Sequence, residues 1–127
     1  MLFRSGVYLC VHEGPQRLSR ASHTELEPGM ILSNEPGYYR EGAFGIRIEN
    51  LIVVQNAATL EGADAREMLD FLTLTYVPID RRLIKTDMLS IGERDWLNLY
   101  HAACRDNISP RISEAARVWL VASTEPI

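Results

Sequence analysis

Apolar and polar positions follow two different rhythms along this chain, and the change falls near residue 88. Before it, short runs rich in β-formers are broken by Gly and Pro. Met30–Asn34 is apolar-rich and is followed by Pro36-Gly37, which predicts a strand and then a turn or bend. Gly45–Gln55 reads G-I-R-I-E-N-L-I-V-V-Q, dense in β-branched residues on both alternating sets, and predicts one strand covered on both faces. Asn56–Asp70 predicts a polar connection around Gly62. Phe71–Val77 alternates again and predicts a strand ended by Pro78.

After Asp87 the apolar period lengthens to that of a helix. Ser90-Ile91-Gly92-Glu93 has the form of a capping box, in which the Ser and Glu side chains each satisfy an orphan backbone donor. Behind it Trp96, Leu97, Tyr100, Ala103, Cys104 and Ile108 form one apolar stripe. Ser109-Pro110 predicts the end of this helix and the capped start of a second, with Ile112, Ala115, Ala116, Trp119 and Leu120 on its inner face. Strands followed by a helical hairpin predict an α+β fold, divided into residues 1–87 and 88–127.

Composition narrows the function class. A chain of 127 residues supports one core of ordinary size. A net charge of −4 offers no basic field for nucleic acid. No apolar run approaches the roughly 20 residues of a membrane span, and residues 1–11 lack a signal-peptide pattern. Cys10 and Cys104 stand far apart, outside any C-x-x-C pair, which favours free thiols and a cytoplasmic setting.

Four acidic or basic side chains have informative surroundings. Alternation puts Arg47 and Glu49 on one face of a strand. A carboxylate covered on both sides must be paired, hydrogen-bonded or bound to a metal, so a plain Arg47–Glu49 ion pair and a metal ligand both fit. Glu35 ends a strand before a rigid Pro36-Gly37 corner; it reads either as a group aimed into a cleft or as an ordinary loop glutamate. His12, in V-H-E-G-P, reads as a proton-transfer or substrate-holding imidazole or as a loop residue beside a Gly-Pro turn. His23 and His101 read as surface or partly buried polar residues. P-loop, dinucleotide, cysteine-zinc and nucleophile-elbow patterns do not occur.

Taken in order, V-H-E-G-P (11–15), L-E-P-G-M-I-L-S-N-E-P-G-Y-Y (26–39) and G-I-R-I-E-N (45–50) resemble the active-site half of the Xaa-Pro aminopeptidases, which are pita-bread metallopeptidases. L-T-L-T-Y-V-P-I-D-R-R-L-I (72–84) and W-L-N-x-Y-H (96–101) resemble the C-terminal extension of the larger aminopeptidase P branch. The resemblance implies hydrolysis of the bond between an N-terminal residue and a proline in second position. It implies two divalent metals, manganese first with zinc or cobalt as alternatives. On the matching motifs, Glu35 becomes a ligand of one metal, Glu49 the carboxylate bridging both, His12 a substrate-contacting proton carrier, and Arg47 a cation that orients the carboxylates.

The same resemblance implies a shortfall. The family's metal-binding histidine falls at Phe3, and its two aspartates belong upstream of this sequence, so two of five ligands are present. The expectation is weak or no metal binding by the chain alone and no turnover. The implied partners are a complementing N-terminal chain or a second copy. The alternatives are a non-catalytic interaction module of the same fold and a relict without function.

Overall fold

In the computed structural model, residues 13–127 are described, and they fall into two compact units divided between Thr75 and Tyr76. In the first, strands β1 (Ile31–Asn34), β4 (Asn50–Asn56) and β5 (Leu69–Thr73) form an antiparallel sheet in the order β1-β4-β5. Strands β2 (Gly37–Arg40) and β3 (Phe44–Arg47) form a separate antiparallel pair. Their loop, Glu41-Gly42-Ala43, turns back through Gly42 at φ 68°, a conformation that a Cβ disfavours.

The single strand expected over Gly45–Gln55 is therefore two strands in two sheets, parted at Ile48-Glu49. The reason lies opposite, where Pro36 has no N–H to give to a ladder. The register nevertheless runs unbroken. Asn34 faces Asn50 in one ladder and Gly37 faces Arg47 in the other, so the skipped residues oppose each other in order, Glu35 to Glu49 and Pro36 to Ile48. The Ile48 N–H still donates to Pro36 O at 3.2 Å. β1–β2 and β3–β4 are thus one two-stranded ribbon with a kink, and both glutamates sit at the kink.

One face of this ribbon is the core. Leu32, Ile52 and Val54 are buried, with Leu18, Leu26 and Met30 packed on them. The covering expected around Glu49 is absent among the described residues: Ile46 and Ile48 are 46% and 44% exposed. β5 begins before the expected Phe71 and ends before Thr75, whose hydroxyl accepts the Leu51 N–H at 3.0 Å and donates to Asn50 Oδ1 at 2.8 Å. The Leu74 N–H still donates to Leu51 O at 2.8 Å, and the Thr75 side chain takes the place of the return bond.

The second unit holds α1 (Ile91–Ile108) and α2 (Glu114–Ser123). The capping box forms as read: Ser90 Oγ accepts the Glu93 N–H, and the Glu93 carboxylate accepts the Ser90 N–H. Ser109 does not cap α2. Ser109–Arg111 makes a tight turn and Ser113 caps α2 instead, because Pro110 cannot continue α1 and the chain needs three more residues to reverse. Trp96 and Trp119, expected inward, are 56% and 62% exposed, and Trp96 stacks flat on Tyr100. The buried side of α1 is Leu97, Tyr100, His101 and Cys104.

His101 corrects the sequence reading: it is wholly buried. Its Nε2 accepts the Ile79 N–H at 3.1 Å, while the adjacent Tyr100 hydroxyl accepts from Val77 N and donates to Val77 O. Two neighbouring helix side chains thereby take the role of a strand partner for residues 77–79. An accepting Nε2 requires neutral imidazole, and Nδ1 lies buried without a partner. Burial, with Arg81 and Arg105 nearby, holds the His101 pKa below its ordinary value. A lowered folded pKa means the unfolded chain takes the proton first, so stability is complete above pH 6.5 and falls as pH drops through the folded value. Urea titrations from pH 7.5 to 4.5 are expected to show this loss, and His101→Gln, which keeps an acceptor, to flatten it.

Candidate metal centre

The kinked ribbon determines which side chains meet. Alternation along each strand puts Ser33, Glu35, Gly37 and Tyr39 on the face opposite the core, beside Gly45, Arg47 and Glu49 of the facing strand. Like charges directly opposite one another repel, and here two glutamates are cross-strand partners. Arg47 lies between them: its Nη1 is 3.2 Å from Glu35 Oε2 and 3.6 Å from Glu49 Oε2. The Glu35 side chain is 10% exposed and that of Glu49 is 44% exposed. One charge therefore serves two carboxylates, and the trio stays net negative.

Two residues that the motif reading passed over complete the arrangement. The Tyr39 hydroxyl accepts from Arg47 Nε at 2.8 Å, and the Arg47 guanidinium carbon lies 5.9 Å from the ring centre. The ring crosses the face where Gly37 and Gly45 have no side chains; a Cβ there would stand 2.6 and 2.9 Å from Tyr39 atoms. These glycines make the bed for Tyr39 as much as they break the strand pattern. The Tyr39 hydroxyl, ahead of the two carboxylates, raises the pKa of the Arg47 guanidinium, which is charged throughout. Ser33, 2% exposed, donates its hydroxyl to Glu35 Oε1 at 2.8 Å. The signal for both was their period-two spacing from Glu35, masked for Tyr39 by Pro36 and Gly37 between.

Glu35, Arg47 and Glu49 are thus brought together, whereas His12, with Phe3 and Cys10, lies outside the described residues. Among the described residues no group of three His, Cys, Asp or Glu side chains is placed to hold a metal. Oxygen donors in a net-negative cluster suit a hard or borderline divalent cation, and two such donors are a partial set. Cys104 is a buried free thiol whose pKa is pushed up by burial, so it is no ligand candidate.

Residues 3–56 match the profile of metallopeptidase family M24, and residues 67–127 match that of the C-terminal region of peptidase M24. The chain belongs to metallopeptidase family M24. Among M24 relatives, aminopeptidase P1 of Arabidopsis thaliana is 42% identical over 96% of this chain and 19% of its own length. The aminopeptidase P2 of the same plant is 44% identical, over 96% of this chain and 18% of its own length. The crystal structure of an X-prolyl aminopeptidase from Caenorhabditis elegans, described as a cytosolic enzyme with a di-nuclear active site, superposes with a TM-score of 0.83. It is 32% identical, over 99% of this chain and 21% of that one. The chain spans about a fifth of the length of the relatives it matches. Its antiparallel strands and two following helices are those of the C-terminal part of the pita-bread, α+β fold. Among the described residues no helix is long and apolar enough to cross a membrane.

Proposed function

We propose that this chain forms the C-terminal part of a dinuclear-metal aminopeptidase that removes an N-terminal residue preceding proline. The observation that carries this reading is the convergence of the opposed Glu35 and Glu49 on Arg47, in a chain of the M24 family. Glu35 would hold one metal and Glu49 both. Bound there, the ions, manganese first with zinc or cobalt as alternatives, would supply an activated water and a polarised scissile carbonyl. Arg47, whose Nε donates to the Tyr39 hydroxyl, would lower the repulsion between the two carboxylates and orient them. His12 would contact the substrate and move a proton, and an apolar pocket would select the proline ring. A cytoplasmic location is carried over from the nematode relative.

Alone, the chain is expected to be inactive. Two carboxylates leave most of each ion's coordination to water, and the chemistry needs both ions fixed. The side of β2–β3 carrying Tyr38, Phe44 and Ile46, each 46–62% exposed, favours a covering partner, either a complementing N-terminal segment or a second copy. The same exposed side suits the alternative reading of a non-catalytic interaction module. Incubation of the pure chain with manganese and an Xaa-Pro peptide is expected to release no free amino acid. Manganese-dependent turnover abolished by Glu35→Ala would show the chain to be self-sufficient.

A further inference from the structure

The two carboxylates at the kink are not held alike. Glu49 is nearly half exposed and meets Arg47 at 3.6 Å, the longer of the two ion pairs. Glu35 is nearly buried, and both of its oxygens are engaged: Oε2 by Arg47 and Oε1 by the Ser33 hydroxyl. Ser33 stands on β1 opposite Leu51 of β4, so its Cβ is fixed by backbone pairing to the central strand of the three-stranded sheet. Its side chain projects on the same face as Glu35, two residues on. A buried hydroxyl must find a partner among its neighbours, and the one found here is charged, which makes the hydrogen bond short and directional.

We propose that Ser33 is a positioning residue for Glu35: its buried hydroxyl engages Oε1, so that Oε2 is the oxygen presented beside Arg47 and toward Glu49. The inference rests on the reading of Glu35 as a metal ligand. Groups that hydrogen-bond a ligating carboxylate fix its orientation, and their loss lowers metal affinity by about 10- to 100-fold. Ser33 then sets which Glu35 oxygen is available, while Arg47 and Tyr39 set the charge between the two glutamates.

The test uses the whole 127-residue chain, labelled at glutamate side chains for NMR, with manganese(II) alone as the probe. In the parent chain Glu35 is expected to occupy one rotamer, and its carboxyl resonance to broaden over the same manganese range as that of Glu49. In Ser33→Ala the Glu35 couplings are expected to average, and Glu35 to need about tenfold more manganese while Glu49 shifts little. Ser33→Thr, which keeps the hydroxyl, is expected to restore both. Asn34→Ala, on the opposite side of the strand, is expected to change neither. A single Glu35 rotamer retained in Ser33→Ala would overturn the proposal. Broadening of neither glutamate in the parent is the outcome expected if two ligands of five hold manganese too weakly, and the Glu35 couplings alone then decide the role of Ser33.

Discussion

Joined at Gly6 to the upstream part of the Arabidopsis aminopeptidase P1, this chain is expected to give a manganese-dependent Xaa-Pro aminopeptidase, and Glu49→Ala in that hybrid to lose about 1000-fold or more in kcat/KM. The size follows from position. Residues that only support a metal ligand cost about 10- to 100-fold when removed, and a carboxylate shared by two ions exceeds that range. Glu35→Ala is expected to be severe but less so, because in the proposed arrangement it would hold one ion. The junction at Gly6 lets the relative supply its own residue in place of Phe3. Glu49→Gln separates charge from shape: it keeps the volume, removes the negative oxygen, and is expected to fall nearly as far as Glu49→Ala. Peptide hydrolysis followed by release of the N-terminal residue measures all three. Activity of Glu49→Ala within threefold of the parent hybrid would exclude a bridging role.

Leu32→Ala is expected to cost the strand unit about 3 kcal/mol, within the 2–5 kcal/mol typical of buried Leu truncations. Leu32 is fully buried and pairs across the ladder with Ile52 on the core face of the kinked ribbon. Among the described residues the buried cluster there has three members, so few neighbours can close the gap. Against a net stability of about 5–15 kcal/mol for an ordinary domain, such a loss is large. Because β1 also carries Ser33 and leads into Glu35, loosening the core is expected to loosen the site. Urea unfolding measures the cost, with Ile52→Val, expected near 1 kcal/mol, as the mild comparison. A loss below 1 kcal/mol for Leu32→Ala would mean that the core lies elsewhere.

Much of this was legible in the residues. The strand after Met30, the Ser90–Glu93 box and the shared face of Arg47 and Glu49 follow from period and cap chemistry, which are local. What stayed hidden depends on partners distant in sequence. Alternation from Gly45 to Gln55 cannot tell that the strand changes sheet at Glu49, because the cause is Pro36 on the facing strand. Tyr39 was hidden by the glycines that accommodate it, since absent side chains read as breaks. The sequence around His101 reads as surface or partly buried, and the backbone N–H from residue 79 makes its full burial tolerable. Helical spacing puts Trp96 and Trp119 on the apolar stripes, whereas the buried side of α1 is Leu97, Tyr100, His101 and Cys104.

Metal stoichiometry decides most directly whether the opposed glutamates share a pair of ions. Elemental analysis of the hybrid after equilibration with manganese is expected to find two ions per chain, about one in Glu35→Ala and close to none in Glu49→Ala. Two ions retained in both variants, each folded as judged by circular dichroism, would mean that neither carboxylate is a ligand.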